Sequence, residues 1–320
     1  MTAKSDSTGR PKPVFSSERS EPLPWQRPKP SSEDVDAPAK VERLLRSESY
    51  RRADEDVDFL NSAQTRGVRL QIDYLKPQIQ LDRFGIEHTI VVFGGTRILE
   101  PAVAERALDQ IRQAIREESE PDDDLLLRLT RAERILDKSR YYDVARALGR
   151  LVGEPGARPE DCKIVVMTGG GPGVMEAANR GASEIGAKTI GLNIDLPHEQ
   201  FPNPYITPGL CFRFHYFALR KLHFLLRARA LVAFPGGLGT LDELFETLTL
   251  IQTRKIEPIP VVLVGREYWR RVFDIDYLFE EGVIDAEDRE LLWFAETAQE
   301  IWDGIRRWYE LAGEPLFPAA

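Results

Sequence analysis

The sequence contains few of the residues that support metal, redox or membrane chemistry. There are two cysteines and four histidines among 320 residues, and no apolar run approaches the roughly 18 residues of a membrane-spanning helix. The N-terminus also lacks the apolar segment of a secretory signal. Cys162 and Cys211 lie beside predicted strands without a metal-ligand spacing, so we expect buried free thiols in a reducing compartment and a cytoplasmic protein.

An excess of positive charge is also missing. The net charge is −9, with 42% hydrophobic and 30% charged residues, a composition typical of a soluble globular protein. This balance argues against a face that binds a nucleic acid polymer, and it favours free nucleotides as partners. We expect no membrane partner. The chain is long enough for one large domain with extensions.

The segment from Phe217 to Glu243 organises the rest of the chain. Its pattern predicts a helix over residues 216–229, a buried strand over 230–234, a glycine-rich turn over 235–239 and a second helix that carries Glu243. A continuous apolar run that ends in two glycines and re-enters a helix is typical of a parallel strand. Such a strand delivers its carboxyl end to a ligand crevice in an open sheet.

The glycines of this turn indicate access to the backbone. Gly236, Gly237 and Gly239 can adopt positive φ and leave main-chain N–H groups uncovered. Thr240 adds a hydroxyl at the start of a helix whose dipole favours an anion. The pattern therefore predicts a phosphate site. The alternative is a structural capping box, with Thr240 at the N-cap and Glu243 three residues later.

Further strands flank this segment on both sides. The apolar pattern predicts them over residues 88–93, 163–168, 189–194, 211–215, 258–264 and 291–294. Helices separate most of these strands, with boundaries near 101–118, 174–184, 267–279 and 298–311. This alternation predicts an α/β fold, an open parallel sheet with helices on both faces.

The chain divides into three predicted parts. Residues 1–45 are rich in proline, serine and charge and form a disordered or loosely ordered tail. Residues 46–86 form an N-terminal helical extension, in which Pro77 should open or kink the second helix. This extension either covers one edge of the sheet or makes a subunit contact. Residues 87–320 form the single core domain.

Two glycine-rich turns match the dinucleotide-binding fingerprint G-x-G-x-x-G incompletely. A match that starts at Gly237 has Asp242 in place of the last glycine, and one that starts at Gly169 has Val174 there. Asp195 nevertheless lies some 20 residues beyond the second turn, where a dinucleotide-binding protein places its ribose-binding acid. A cofactor-binding interpretation therefore stays open.

Two motifs together resemble a known family. The residues Pro235 to Glu243 read PGGLGTLDE and match PGGxGTxxE, and Arg220-Lys221 match an Arg-Lys pair one helix and one strand earlier. They resemble the Lonely Guy family of cytokinin riboside 5′-monophosphate phosphoribohydrolases and related nucleotide 5′-monophosphate nucleosidases. The resemblance covers roughly residues 87–310. Members were long labelled lysine decarboxylases, but the sequence gives no independent indication of a pyridoxal site.

The resemblance implies a Rossmann-like domain that hydrolyses the N-glycosidic bond of a nucleoside 5′-monophosphate. AMP or an N6-modified AMP such as isopentenyl-AMP would give free base and ribose 5-phosphate. Breaking this bond develops positive charge on the sugar, so Glu243 would stabilise that charge and orient or deprotonate water. Arg220 is too basic for an efficient general acid and is assigned to electrostatic stabilisation. No metal or organic cofactor is required.

Further substrate contacts follow from the matching turns. Longer members of the family carry a turn like that of Thr96 and Arg97 at the edge of the active site, so these residues would contact phosphate or base. A solvated arginine is the alternative for Arg97. The turn with Gly170 and Gly171 would line the nucleotide pocket. Glu176 would reach the ribose or base, or else stabilise its helix through the dipole.

The remaining binding residues belong to the motif itself. The amides of Gly236, Gly237 and Gly239, with Thr240, would hold the phosphate. Lys221 would add to the positive field or extend its ammonium group into solvent. One departure is visible, because residues 217–219 read Phe-Ala-Leu where the family commonly has a methionine. This departure leaves the base preference open, and the resemblance implies a homodimer or a higher homo-oligomer.

Two other functions remain as alternatives. A non-catalytic nucleotide or molybdenum-cofactor carrier can use the same fold, but a carrier of anionic ligands has little use for Glu243 beside Arg220. A dinucleotide-dependent oxidoreductase is disfavoured by the two broken fingerprints. Binding of AMP without turnover would favour the carrier, and a response to NAD alone would favour the oxidoreductase.

Overall fold

A computed structural model describes residues 23–118, 120–154, 164–196, 201–314 and 316. Cys162, Pro197 and the first part of the predicted tail lie outside these residues. The chain divides into two compact units, one that ends at Arg69 and one that begins at Leu70.

The first unit contains short helices held by polar contacts. Within it lie α1 (Ala37–Leu45), inside the predicted tail, and α2 (Val57–Asn61). Asp56 caps α2 by accepting a hydrogen bond from the backbone N–H of Phe59 at 3.1 Å. The Thr65 hydroxyl donates to the carbonyl of Leu60 at 2.8 Å. Side-chain oxygens at helix ends thus satisfy backbone groups that the short helices leave unpaired.

The second unit is built on one parallel sheet. Within the described residues its seven strands run in the order β4-β3-β2-β1-β5-β6-β7, and every neighbouring pair is parallel. The strands are β1 (His88–Phe93), β2 (Ile164–Thr168), β3 (Thr189–Ile194), β4 (Cys211–Phe214), β5 (Ala228–Ala233), β6 (Val261–Val264) and β7 (Leu292–Ala295). The strand order reverses direction between β1 and β5. The predicted fold class, an open parallel sheet with helices, is confirmed.

Helices connect these strands, and most of them lie where the sequence predicts. They are α3 (Arg66–Arg83), α4 (Pro101–Glu117), α5 (Asp123–Lys138), α6 (Arg140–Gly153), α7 (Val174–Glu184), α8 (Phe217–Leu225), α9 (Leu238–Gln252), α10 (Arg266–Val272), α11 (Ile275–Glu280) and α12 (Ala298–Leu311).

The two faces of the sheet bury alternate residues of the same strands. In β1, Ile90 and Val92 join one apolar core, together with residues of α6, α7 and α12. Val91 and Phe93 join the other core, with residues of α8 and α9. Strands that are buried on both faces read as continuous apolar runs, which is why the sequence identifies them. Helices therefore cover both faces of the sheet.

The pair α6 and α7 packs without space for side chains at two positions. A Cβ atom added to Gly149 would overlap the carbonyl oxygen of Ala178, and one added to Gly181 would overlap the carbonyl oxygen of Arg146. Two helices approach this closely only where glycine removes the side chain. The contact fixes α7, whose N-terminus lies beside the turn that follows β1, where the N–H of Val174 donates to the carbonyl of Gly95.

Several local predictions are wrong in instructive ways. The helix predicted over 267–279 is two helices, because Asp274 caps a new start by accepting from the N–H groups of Asp276 and Tyr277. Pro77 lies buried inside α3, so it does not open this helix, and the alternative of a kink at Pro77 stays a prediction. Cys211 is a free thiol as expected, but it is exposed on β4, the strand at the end of the described sheet, and not buried.

The glycine contact between α6 and α7 gives a stability prediction. We expect Gly181→Ala to lower the free energy of unfolding by roughly 1–3 kcal/mol, because backbone atoms of α6 cannot yield to a new methyl group. Urea denaturation followed by circular dichroism measures this change. Gly67→Ala is the matched control, since a Cβ there meets open space and alanine is the better helix former. Equal stability of Gly181→Ala and the wild type would contradict the prediction.

Candidate active site

The candidate site lies where the strand order of the sheet reverses, between β1 and β5. The carboxyl ends of these two strands are joined by backbone hydrogen bonds beyond the strands themselves. The N–H of Phe234 donates to the carbonyl of Phe93, and the N–H of Gly95 donates to the carbonyl of Pro235, both at 2.8 Å. In open α/β sheets this reversal opens a crevice that binds ligands.

A cavity of about 250 Å³ occupies this crevice. It is lined by residues from the two turns, from α7, α8 and the first turns of α9: Phe93, Gly94, Gly95, Thr96, Met175, Phe217, Arg220, Gly237, Gly239, Thr240, Asp242 and Glu243. Six of the residues proposed from the sequence are therefore brought together: Thr96, Arg220, Gly237, Gly239, Thr240 and Glu243.

The helix α9 begins earlier than the sequence suggests. Its N-cap is Gly237, with extended backbone at φ −96° and ψ −157°, so Thr240 lies in the first turn and the capping-box interpretation is wrong. None of the three motif glycines has positive φ among the described residues. Gly236 is instead required by close approach, because its Cβ would overlap the Thr240 hydroxyl.

Two of these glycines face open space. A Cβ added to Gly237 or to Gly239 would meet no atom within 4 Å, although both residues line the cavity. Their main-chain N–H groups belong to the first turn of α9, where backbone donors lack intrahelical partners and the helix dipole is positive. This geometry suits an anion such as a phosphate.

Arg220 reaches the cavity from α8. Its Nε donates to the carbonyl of Leu192 at 2.8 Å, and its guanidinium lies 5.2 Å from the ring centre of Phe224. A Cβ added to Gly169 would stand 2.7 Å from Nη2, so the glycine leaves the space that the guanidinium occupies. Burial lowers the pKa of Arg220, while the negative charge of Glu243 acts in the opposite direction.

Glu243 is the most deeply buried carboxylate of the cavity, with 8% of its surface exposed. Burial raises its pKa to about 7, although the positive charges of Lys221 and Arg220 act to lower it. A carboxyl that titrates near neutral pH can exchange protons during a reaction.

Lys221 is placed behind the cavity and contacts three carboxylates of α9. Its ammonium lies 2.7 Å from Glu246, 2.9 Å from Asp242 and 3.6 Å from Glu243. Only 15% of its side chain is exposed, so it does not extend into solvent. These ion pairs join α8 to α9 and hold Glu243 beside Arg220.

The start of α8 is fixed by α3, a contact that the sequence does not reveal. The Asp73 carboxylate accepts hydrogen bonds from the N–H groups of His215 and Tyr216. His223 of α8 is buried, and its Nε2 lies 3.0 Å from the carbonyl of Tyr74. Burial lowers the pKa of His223, which favours its neutral form. The part of α3 after Leu70 therefore supports the helix that carries Arg220.

The turn after β2 is held by buried amides. Asn203 donates to the carbonyl of Gly171 at 3.0 Å and to the Asn179 oxygen at 2.9 Å, while the N–H of Gly170 donates to the Thr168 hydroxyl at 2.9 Å. Gly170 has φ +72°, which favours glycine. Gly170 and Gly171 are not among the described lining residues of the cavity, so their contact with a substrate stays a prediction.

Other proposed residues also have partners away from the cavity. Glu176 accepts a hydrogen bond from the Tyr142 hydroxyl at 2.9 Å. Arg97 lines a different groove, and the carbonyl of Gly236 accepts from the Tyr268 hydroxyl. Asp195 forms an ion pair with Arg213. The substrate contacts proposed for these residues remain predictions.

The structure adds six lining residues to those proposed as contacts: Phe93, Gly94, Gly95, Met175, Phe217 and Asp242. Met175 and Asp242 are each adjacent in sequence to a proposed residue, and this adjacency is the sequence feature that could have identified them. Among the described residues, no group of three His, Cys, Asp or Glu side chains is arranged to hold a metal ion. No helix in the described ranges has the length and apolarity to cross a membrane.

Comparisons with known proteins show which family the sequence resembles. A family model described as "Possible lysine decarboxylase" matches residues 175–305. The chain is 31% identical over 167 residues to the cytokinin riboside 5′-monophosphate phosphoribohydrolase LOG3 of Arabidopsis thaliana, which covers 51% of this chain and 74% of that protein. The cytokinin riboside 5′-monophosphate phosphoribohydrolase LOG4 of Arabidopsis thaliana is 30% identical, and the match covers 51% of this chain and 74% of that protein.

Solved structures resemble the chain more distantly. The molybdenum cofactor binding protein from Rippkaea orientalis is 24% identical, and the match covers 52% of this chain and 86% of that chain with a TM-score of 0.37. The molybdenum cofactor carrier protein from Chlamydomonas reinhardtii is 18% identical, with 69% and 97% covered and a TM-score of 0.35.

The raised pKa of Glu243 predicts how stability depends on pH. Because the folded-state pKa of about 7 exceeds the usual value of 4.5, the folded protein binds the extra proton between these values. Its stability therefore falls as pH rises through this window. Glu243→Gln removes this loss of stability, and we expect it to raise the free energy of unfolding at pH 8 by roughly 3 kcal/mol.

Urea denaturation at pH 5 and pH 8 measures this effect. The matched control is Glu290→Gln, which makes the same chemical change at an exposed position. A Glu243→Gln protein whose stability relative to the wild type is the same at both pH values would overturn the prediction.

Proposed function

Because the chain belongs to the Lonely Guy family of cytokinin riboside 5′-monophosphate phosphoribohydrolases, we propose that it hydrolyses the N-glycosidic bond of a purine nucleoside 5′-monophosphate. The substrate is AMP or an N6-modified AMP such as isopentenyl-AMP, and the products are the free base and ribose 5-phosphate. One observation carries the proposal: Arg220 and the buried Glu243 line the same cavity at the N-terminus of α9.

The first turn of α9 is the proposed phosphate site. The N-terminal amides of a helix bind an anion through unpaired donors and through the dipole. Gly237 and Gly239 leave the backbone open on the cavity side, and Thr240, in the same turn, lies against Gly236 and lines the cavity. A 5′-phosphate held there places the ribose toward Glu243, one turn further along the same helix.

The apolar walls of the cavity suit the base. Phe93 and Met175 are buried beside the turns, and Phe217 stands at the rim with 51% of its surface exposed. Aromatic and thioether groups stack on a purine without selecting one substituent. An N6 substituent extends from such a base toward the rim, so both AMP and a modified AMP fit this arrangement.

Hydrolysis follows from these positions. As the bond between C1′ and the base nitrogen breaks, its electrons leave with the base and positive charge develops on the sugar ring. The ionised Glu243 stabilises that charge and accepts a proton from water, whose oxygen forms the new bond to C1′. The proton that Glu243 accepted passes to the leaving base, directly or through water, and Glu243 returns to its ionised form. Arg220 holds the sugar phosphate by charge, and its hydrogen bond to Leu192 fixes its direction.

We further propose that the protein acts in the cytoplasm as a homodimer or a higher homo-oligomer. Exposed apolar side chains at the C-terminal end of α8 support an interface, since Leu222 and the C-cap residue Leu226 lie four residues apart on one face and are each 44% exposed. In such an assembly this face of α8 would be covered.

Turnover of nucleoside monophosphates tests the function directly. We expect the purified protein to release free base and ribose 5-phosphate from AMP or isopentenyl-AMP, detected by chromatography. Glu243→Gln should lower the rate roughly 10²- to 10⁴-fold because it removes the carboxylate that acts on water. Arg220→Ala should also lose turnover while it stays folded. Glu290→Gln is the control that keeps its activity.

Two outcomes would contradict this function. Binding of AMP without release of base would favour the carrier, a nucleotide or molybdenum-cofactor binding protein of the same fold. Full activity of Glu243→Gln would remove this residue from the reaction.

Gly169 provides a test of how Arg220 is positioned. A methyl group at this position would lie 2.7 Å from Arg220 Nη2 and 2.9 Å from the Met175 sulfur. Both are ends of flexible side chains, so Gly169→Ala should fold normally but displace the guanidinium. We expect a loss of about a hundredfold in kcat/KM, the scale of a displacement near 1 Å. Steady-state kinetics measures it, and unchanged kinetics would show that the position of Arg220 does not matter.

A further inference from the structure

A second concave surface of the core unit carries a concentration of positive charge. It is a groove of about 500 Å³. We call it the basic groove and define it by six cationic residues that line it: Arg97, Arg131, Arg134, Lys138, Arg140 and Arg271. Two carboxylates, Asp137 and Glu267, also line it, so positive charge exceeds negative charge by four. This is opposite in sign to the net charge of −9 of the whole chain.

The charge of the groove is not neutralised within the protein. None of the six cations forms an ion pair with any residue that the structure describes. Arg140 donates to the Tyr141 hydroxyl at 3.1 Å, and Lys138 donates to a backbone carbonyl at 3.3 Å. Asp137 and Glu296 act on Arg140 only through their charge.

Five of the six groove cations are exposed and Lys138 is half-buried. Other cations of the core unit differ from them because they have carboxylate partners. Glu184 pairs with Arg146, Arg150 and Arg180, and Lys221 pairs with three carboxylates. Collecting six like charges without counterions is unfavourable for the folded state. An external anion that enters the groove would remove this repulsion.

Four separate parts of the chain build the groove. Arg131, Arg134 and Lys138 follow one another at helical spacing along α5, and Arg140 stands at the start of α6. Arg97 comes from the turn after β1, and Arg271 comes from α10. A solvated face of a single helix would account for the first three residues, but it does not account for convergence from three other elements.

The basic groove touches both turns of the candidate active site. Arg97 directly follows Thr96, which lines the catalytic cavity. Tyr268 lines the groove, and its hydroxyl donates to the carbonyl of Gly236 in the turn before α9. A ligand in the groove therefore contacts residues that are joined to the two turns without entering the cavity.

We propose that the basic groove is a second ligand site, which binds a small anion with two or more linked phosphates and changes the turnover of the neighbouring cavity. The excess of four positive charges matches the charge of a triphosphate. Arginine guanidinium groups bind phosphate oxygens in pairs, which suits the five arginines of the groove. The groove is of the size that holds a small molecule, and the overall negative charge of the chain disfavours a nucleic acid polymer. The effect on turnover rests on the proposed function, whereas the binding does not.

Calorimetric titration of the full chain with inorganic tripolyphosphate and with ATP tests the site. We expect both anions to bind, and we expect added salt to lower their affinities because it screens the charges. Equal affinities for tripolyphosphate and ATP would show that the groove recognises the phosphate chain. Tighter binding of ATP would show that the groove also contacts the nucleoside, and both results support the site. The double variant Arg134→Glu and Arg271→Glu should bind at least about tenfold more weakly, because it reverses charge on two walls of the groove.

Three control variants distinguish binding in the groove from binding elsewhere on the protein. Arg306→Glu makes the same charge change at an exposed residue outside the groove, and it should leave affinity unchanged. Arg220→Ala alters the catalytic cavity and should retain binding of tripolyphosphate. The milder double variant Arg134→Gln and Arg271→Gln should also bind more weakly. Because it only neutralises the two charges, it tests the site even if the charge-reversal variant does not fold.

Several results would overturn the site. The first is that neither tripolyphosphate nor ATP binds. The second is that Arg220→Ala loses binding while the double variant retains it. The third is that the double variant binds both ligands as the wild type does and differs only in its sedimentation. The last would make the groove a subunit contact. If tripolyphosphate binds but no monophosphate is hydrolysed, the groove stands and the proposed function fails. If base release occurs but tripolyphosphate does not change its rate in the wild type, the link between the two sites is wrong.

Discussion

The parallel pairing of β1 with β5 is the constraint on which the site depends. Because connections leave these two strands toward opposite edges of the sheet, their carboxyl ends stand side by side without a covering crossover. Backbone hydrogen bonds between Gly95 and Pro235 and between Phe234 and Phe93 continue this pairing into the turns. The turn that carries Thr96 and the turn that starts α9 therefore keep a fixed separation, and the cavity lies between them.

The second constraint is electrostatic, and it acts between α8 and α9. The carboxylates of α9 would repel one another, but the ammonium group of Lys221 lies among them. Arg220 approaches Glu243 from α8, the helix that also carries Lys221. Burial still dominates at Glu243, since its pKa is raised and not lowered. Adjacent residues of one motif thus have different tasks: Arg220 faces the cavity, and Lys221 positions the helix that bears Glu243.

The sequence predicts the sheet well and the side-chain environment only partly. The bounds of β1, β3, α7 and α12 are those predicted, because doubly buried strands and capped helices leave strong local patterns. The start of α9 was misplaced by the capping-box pattern, since the close contact of Gly236 with Thr240 is not visible in sequence. The sequence predicts that Glu176 reaches the ribose or base or stabilises its helix, and that Lys221 adds to the positive field or extends into solvent. Their partners, Tyr142 and the carboxylates of α9, come from packing between distant segments.

The protonation of Glu243 has a consequence for ligand affinity as well as for reaction rate. If a phosphate dianion binds beside a carboxyl that titrates near pH 7, the anion binds more tightly when that carboxyl is protonated. Thermodynamic linkage then requires that binding raise the affinity of Glu243 for its proton. The neutral form of Glu243 thus binds an anionic ligand best, whereas the ionised form of Glu243 is the one that stabilises a cationic sugar. The two demands therefore oppose each other, and a pKa near neutrality keeps both forms of Glu243 within reach at the same pH.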